Sequence, residues 1–226
     1  MSRDTTSRAG AELAATAAVT VALAVLAVLV VAGGLTAVDQ YAVDHWMPHL
    51  DPWGGSSPAS IDAQFYPHLG SPLQTFCNVW TFPASVPVSG ALVGLCCLVL
   101  ARRGQRAAGL TWVCAWIAAN AVEVVGKRVL HRPALHAHHA GSLVSFGSFE
   151  HSFPSGHAAR GLVAAVMLVT VWRRAAWPAA TWAVIALPAL VVNAGHTPSD
   201  VGGGALLALL TLLLTRRILG MQPVVG

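Results

Sequence analysis

Two short segments combine a histidine with the residue types that handle phosphate. Residues 153–157 read Phe-Pro-Ser-Gly-His and precede an apolar run, and residues 195–200 read Gly-His-Thr-Pro-Ser-Asp and precede another. Gly156 lets the backbone approach a ligand closely, and the free N–H groups at a helix start bind anions. Ser155 can cap that helix or donate to a phosphate oxygen, and His157 can transfer a proton near neutral pH. An ordinary serine cap beside an interfacial histidine has the same pattern, so this segment alone leaves both interpretations open.

The second segment adds a histidine and a carboxylate at helical spacing. His196 and Asp200 are four residues apart, so they share a face if a helix begins near Pro198. A carboxylate that accepts from one ring nitrogen makes the other nitrogen a better base or nucleophile. The alternative is a histidine that caps the loop and an aspartate that favours the helix start through the dipole.

A third cluster, residues 127–133, places three cations at the outer end of an apolar segment. Most other basic residues of the chain lie at the opposite ends of the apolar segments from Lys127, Arg128 and Arg132. Binding a phosphate would explain why these three cations lie here. Glu123 lies one turn before Lys127 inside the apolar segment. Since an acid at membrane depth is normally paired, we expect Glu123 to pair with Lys127 or Arg128 and to orient it.

The remaining polar residues near these clusters have open roles. Arg160 lies one turn after His157 and either reaches back to the phosphate or pairs with an acid. Four histidines follow Lys127, but their spacing fits no standard zinc pattern and no cysteine lies nearby, so we predict no metal site: His131, His136, His138 and His139.

By composition the chain is a membrane protein. Of its 226 residues 55% are hydrophobic and only 10% are charged, against about 25% charged in soluble domains. A helix needs roughly 20 apolar residues to cross a bilayer. The sequence therefore predicts an all-α polytopic protein with six transmembrane helices, approximately 13–37, 82–101, 107–129, 157–172, 176–195 and 200–215.

The basic residues predict the orientation of these helices. Nine of the 13 lie before the first segment, in alternate loops or after the last segment: Arg3, Arg8, Arg102, Arg103, Arg106, Arg173, Arg174, Arg216 and Arg217. The positive-inside rule makes that side cytoplasmic. All ten histidines lie on the opposite side or at its boundary. We expect both termini in the cytoplasm, an active site facing the periplasm or exterior of an inner (plasma) membrane, and no nucleic-acid partner despite the net charge of +4.

The chain is predicted to form one membrane domain, residues 1–226. Residues 1–11 are expected to be a polar cytoplasmic tail, and residues 39–81 an outer loop in which short pieces such as 60–69 lie in the membrane interface. This loop is either a lid or lipid-entry element or a plain connector with interfacial aromatic residues, and the sequence leaves both open.

With the three clusters in this order, the chain resembles the type 2 phosphatidic-acid phosphatase (lipid phosphate phosphatase) superfamily. Residues 154–157 match its Pro-Ser-Gly-His signature, and His196 with Asp200 match its His-x-x-x-Asp signature. The resemblance implies that His196 is a nucleophile that forms a phosphohistidine, that Asp200 orients it, and that His157 protonates the leaving alcohol. It implies a phosphate site without a metal or other cofactor, formed by Lys127, Arg132, Ser155 and Gly156, with Arg128 and Arg160 as further candidates.

Two arginines of the family pattern are absent. Four residues separate Lys127 from the Arg-Pro pair where the family has six, so the family's arginine falls at Ala134. The Ser-Arg of the third signature falls at Ala189 and Leu190. Each charge-assisted contact can contribute about 1.5–3 kcal/mol, so the missing arginines matter for phosphate binding.

The resemblance implies a metal-independent lipid phosphatase that acts at the bilayer on a phosphomonoester or diphosphate of a polyprenyl lipid or a glycerolipid. Two alternatives stay open: transfer of the phospholipid group to an acceptor other than water, and a catalytically weak member that only binds phospholipid. The histidines favour an enzyme, because pure binding needs cations more than a nucleophile and an acid.

Overall fold

A computed structural model describes residues 2–47, 72–139, 142–145 and 147–220. Over these ranges the chain is helical apart from one short antiparallel hairpin. The interfacial piece predicted at 60–69 lies outside the described residues.

The chain begins with two helices separated by a glycine turn. Helix α1 spans Ser2–Val31 and α2 spans Thr36–Trp46. Residues 2–11 of the predicted polar tail form the first turns of α1. The first helix ends at Val31, before the predicted residue 37. Gly33 has φ of 76°, a conformation that favours glycine, and it turns the chain between the two helices.

The remaining elements follow in chain order. Helix α3 (Pro72–Thr81) is followed by one turn of 3₁₀ helix and then by α4 (Val86–Arg102) and α5 (Arg106–Val129). The strands β1 (His136–His139) and β2 (Ser142–Ser145) pair so that His136 faces Ser145. A four-residue helix α6 (Gly147–Glu150) precedes α7 (Gly156–Val171), α8 (Ala176–Val192) and α9 (Pro198–Leu219).

Several described helices are long and apolar enough to cross a membrane. Four qualify by themselves, Gly10–Val31, Arg106–Val129, Arg173–Val192 and Pro198–Leu219. A fifth results if Thr75–Ala84 and Val86–Arg102, which are bent by 43°, form one span. Helix α7 is apolar but has only 16 residues. The multi-pass membrane character is thus confirmed, whereas the number of six spans stays a prediction.

Helix α7 lies at the centre of the bundle. It packs against α4, α5, α8 and α9, and nine of its 16 residues are buried. Helix α1 packs along α9, and its outer face carries exposed valines such as Val21, Val25 and Val28. Because a bilayer solvates apolar side chains, that face suits lipid contact.

Glycines hold the segment before α7 against two neighbouring helices. A Cβ on Gly203 would come within 2.3 Å of the Phe153 ring, and one on Gly204 within 2.3 Å of the Ser155 carbonyl oxygen. From the other side, a Cβ on Gly126 would come within 2.7 Å of Pro154. Residues 153–155 therefore lie between α5 and α9, and there is no room for a side chain at the three glycine positions that face them.

The basic ends of several helices meet at the opposite end of α7. Arg103 donates from Nη1 to the Val171 carbonyl at 2.9 Å, which joins the α4–α5 turn to the end of α7. Arg216, near the end of α9, lies 3.5 Å from Glu12 in α1. Since 16 helical residues rise about 24 Å, these basic residues are far from the start of α7.

We expect Gly204→Ala to destabilise the protein by about 1–3 kcal/mol, because the added methyl group overlaps the Ser155 backbone. The matched control is Gly202→Ala, whose Cβ would meet only Leu26 at 3.8 Å. That variant should be neutral or more stable by up to about 1 kcal/mol, since alanine favours the helix. Thermal unfolding in detergent measures both. Equal thermal unfolding midpoints for the two variants would contradict the close contact inferred at Gly204.

Candidate active site

The two histidines of the sequence motifs face each other at the start of α7. Their ring centroids are 5.8 Å apart and the rings are tilted by 57°. His157 is the second residue of α7, and His196 lies in the short loop between α8 and α9. The His196 side chain is buried, and its backbone N–H donates to the Leu190 carbonyl at 3.2 Å. The fold therefore brings together residues that are 39 positions apart in sequence.

The first turn of α7 is fixed to the first turn of α9. Ser155 is the N-cap of α7, and its hydroxyl accepts from the Ala158 N–H at 3.3 Å. The backbone N–H of Ser155 donates to the Asp200 carbonyl at 2.9 Å. The serine cap expected from the sequence is thus formed, and Gly156 is the first helical residue behind it.

The Asp200 carboxylate approaches His196 without a direct hydrogen bond. The distance from His196 Nδ1 to Asp200 Oδ2 is 3.9 Å, which is too long for one. That carboxylate instead accepts from the Ser152 hydroxyl at 2.6 Å and the Thr197 N–H at 2.9 Å, and Oδ1 lies 3.4 Å from Arg132. Nδ1 of His196 is buried and has no hydrogen-bond partner among the described residues.

Both interpretations of Asp200 therefore have support. Helix α9 begins at Pro198, two residues before the predicted residue 200, and Asp200 closes a capping box with Thr197. Asp200 also carries its negative charge beside His196, where it favours a positive charge on the imidazole ring.

Burial lowers the pKa of the His196 imidazole well below its usual range, and the nearby His157, Lys127 and Arg160 lower it further. The ring is therefore neutral near pH 7. A neutral imidazole keeps a free lone pair on one nitrogen, which is the state that a nucleophile or a base requires.

Glu123 joins two of the predicted phosphate-binding cations. Its Oε1 accepts from Lys127 Nζ at 2.7 Å, and its Oε2 accepts from Arg160 Nη1. Arg160 also donates to Asn120 Oδ1 at 2.9 Å and to the Ala84 carbonyl at 3.0 Å. The expected pairing of Glu123 with Lys127 is confirmed, and Arg160 follows the alternative in which it pairs with an acid.

Arg132 is buried behind the histidines. Its Nη2 bonds Asp39 of α2, and its Nη1 donates to the Thr197 hydroxyl at 2.8 Å. Asp39 is fully buried and also accepts from the Ser199 N–H at 3.0 Å and the Ser199 hydroxyl at 2.7 Å. Protein groups therefore surround the guanidinium that was predicted to contact phosphate.

Asp39 is the site residue that sequence reasoning missed. It is the first residue of the predicted outer loop 39–81 and lies 93 residues from Arg132, its partner. A fully buried carboxylate between a buried arginine and a helix start is a structural anchor.

The positions of the two missing arginines differ in environment. Leu190 is only 5% exposed and belongs to a hydrophobic cluster with Leu135, Phe149 and Ala158. Ala134 precedes the buried Leu135. Leu190 is thus part of the core at the site end of the bundle. Arg128, a further candidate for phosphate binding, is exposed.

The loop histidines lie outside this arrangement. His131 and His151 are exposed, with ring centroids 4.6 Å apart, and the His136 backbone bonds to Gln40 of α2. Over the described ranges, no group of three or more potential metal-binding side chains converges. The side chains of His138 and His139 are not described.

Comparisons with known proteins find a similar family and a similar solved structure. Residues 117–223 match the PAP2 superfamily model, and this range contains every site residue predicted from the sequence. The crystal structure of the first transmembrane PAP2 type phosphatidylglycerolphosphate phosphatase from Bacillus subtilis has a similar fold. It is 17% identical, with a TM-score of 0.64 over 93% of this chain and 98% of that one. No curated protein matches the sequence.

We expect Asp39→Asn to destabilise the protein by about 3–5 kcal/mol, because Arg132 would lose its buried partner charge. The control is Asp44→Asn on the exposed face of the same helix, which should change stability by less than about 0.5 kcal/mol. Chemical denaturation in detergent measures both. The anchoring role of Asp39 is contradicted if the two variants unfold alike.

Proposed function

The chain is a membrane member of the PAP2 superfamily, and from that premise we propose that it is a lipid phosphate phosphatase. It would act through a phosphohistidine on the phosphomonoester or diphosphate of a polyprenyl lipid or a glycerolipid. The observation that carries the proposal is the buried His196 facing His157 at the start of α7.

His196 is the proposed nucleophile. Its Nδ1 points towards Asp200 at 3.9 Å, which leaves Nε2 to attack phosphorus. A bond from Nε2 to phosphorus forms while the bond from phosphorus to the lipid oxygen breaks. The ring becomes positively charged in this step, and the nearby Asp200 carboxylate stabilises that charge.

His157 is the proposed general acid. The negative charge of a bound phosphate favours the protonated imidazole, which then donates its proton to the leaving lipid alkoxide. In the second step His157 accepts a proton from water as the water oxygen attacks phosphorus. Phosphate leaves and His196 returns to its neutral form.

The start of α7 supplies the anion site. Its unpaired N–H groups and dipole favour a phosphate oxygen next to Gly156. Lys127, whose side chain is 31% exposed, is more accessible to an incoming phosphate than the buried Arg132 and Arg160.

The proposed orientation puts this site at the outer face of an inner (plasma) membrane. The basic residues at the far end of α7 favour the cytoplasmic side under the positive-inside rule. Both chain termini would then be cytoplasmic, and the lipid would present its phosphate from the outer leaflet.

Activity with EDTA present tests the proposal. Full-length protein in detergent should release phosphate from at least one of phosphatidic acid, phosphatidylglycerol phosphate and undecaprenyl diphosphate. His196→Ala should abolish release, and His157→Ala should lower kcat by about 10²–10⁴-fold through loss of the general acid. His151→Ala, an exposed histidine, is the control and should match the wild type.

A coupled assay measures phosphate release, and mass spectrometry after an alkaline quench identifies the phosphorylated residue. Phosphorylation of His196 is expected. Full activity of His196→Ala, or phosphorylation of another residue instead, would contradict the mechanism.

A further inference from the structure

One buried serine hydroxyl lies between two acceptors beside His196. Ser152, the residue before the Phe-Pro-Ser-Gly-His segment, is only 5% exposed. Its Oγ lies 2.6 Å from Asp200 Oδ2 and 2.8 Å from the Phe149 carbonyl oxygen. A hydroxyl has one proton, so it can donate fully to only one of these acceptors at a time. The charged carboxylate is the stronger acceptor, so the hydroxyl donates to Asp200 in the free protein.

The carboxylate oxygen that accepts from Ser152 is also the one that faces His196. Asp200 Oδ2 lies 3.9 Å from His196 Nδ1 and accepts from the Thr197 N–H at 2.9 Å. A carboxylate oxygen has about two lone-pair sites, so these two donors leave none on Oδ2 for the imidazole. Within the described part of the chain, Nδ1 has no hydrogen-bond partner. The serine hydroxyl and the imidazole therefore compete for the same acceptor.

Of the two donors on Oδ2, Ser152 is the one that can leave. The Thr197 N–H belongs to the capping box at the start of α9, so it stays on Asp200 while that helix start is intact. The Ser152 hydroxyl can turn its proton to the Phe149 carbonyl, which is already at hydrogen-bond distance, and its oxygen does not have to move.

We propose that Ser152 is a positioning residue that keeps Asp200 from bonding His196 at rest and releases it when His196 is phosphorylated. The inference rests on the proposed phosphohistidine. As Nε2 bonds phosphorus, positive charge develops on the ring and Nδ1–H becomes a stronger donor. The ring moves about 1 Å closer to Oδ2 to reach hydrogen-bond distance, and the Ser152 hydroxyl turns to Phe149. No proton leaves either side chain.

This exchange reserves the hydrogen bond between His196 and Asp200 for the charged ring. An interaction that is stronger in the transition state than in the free enzyme lowers the barrier, whereas one made equally in both does not. If Ser152 only oriented Asp200 towards the ring, its loss would weaken the effect of the carboxylate on His196. Under the proposal its loss strengthens that effect, because the imidazole gains the freed acceptor.

The imidazole proton of His196 tests the exchange without turnover. NMR spectra are recorded on full-length protein with isotope-labelled histidine in detergent, and His196→Ala identifies the His196 signal. The wild type should show a downfield, hydrogen-bonded Nδ1–H only after orthovanadate is added as a mimic of the phosphoryl group. Ser152→Ala should show it without vanadate. The control is Ser89→Ala, which removes a buried hydroxyl that donates to the Ser85 carbonyl, and it should match the wild type.

The pH dependence of phosphate release gives a second readout. A hydrogen bond from His196 to Asp200 at rest favours the charged imidazole and so raises the pKa of His196. The acid limb of kcat/KM, where His196 gains a proton and loses its lone pair, should therefore lie about one pH unit higher in Ser152→Ala than in the wild type. The other charged and titratable groups around the ring are the same in both proteins: His157, Arg160, Lys127, Glu123, Arg132 and Asp39.

A hydrogen-bonded Nδ1–H in the wild type without vanadate would overturn the proposal, and so would an acid limb that stays in place or moves to lower pH in Ser152→Ala. If Ser152→Ala does not fold, the wild type still decides, since a His196 signal that is unchanged when vanadate binds contradicts the release of Asp200. If vanadate does not bind, the phosphate site and this proposal both fail. If the signals behave as predicted but the wild type releases no phosphate from any lipid, the phosphatase proposal fails and the role of Ser152 stands.

Discussion

The buried guanidinium of Arg132 is the interaction on which the rest of the site depends. It bonds Asp39 of α2, and its other nitrogen donates to Thr197 and approaches Asp200 at the start of α9. These contacts join α2 to the loop that carries His196. Because the charges are buried, loss of any one of them leaves a partner unpaired, which is far costlier than loss of a surface ion pair.

Close backbone packing then aligns the second half of the site with the first. Gly204 lets α9 contact the Ser155 carbonyl, and the Ser155 N–H donates to the Asp200 carbonyl. The starts of α7 and α9 therefore form one rigid unit, with His157 on one helix facing His196 before the other. The proposed nucleophile and the proposed acid, held in this way, would lose little entropy on reaching the geometry for reaction.

Local features of the site were predictable from the sequence, whereas the long-range partners were not. The Ser155 cap, the helix start at Pro198 and the pair of Glu123 with Lys127 all follow from spacings of at most four residues. The contact of Asp39 with Arg132 joins distant segments that no periodicity relates, so Arg132 was predicted to bind phosphate. The bounds of the first helix were also not predictable, because composition shows where a helix is apolar but not how far its polar end extends.

The measurement that tests the account most directly is an experimental structure of the protein with orthovanadate, which mimics the phosphoryl group in transfer. The account predicts vanadium within bonding distance of His196, an apical oxygen opposite it hydrogen-bonded to His157, and Arg132 still bound to Asp39. Vanadate bound away from His196, or held by an Arg132 that has left Asp39, would contradict it.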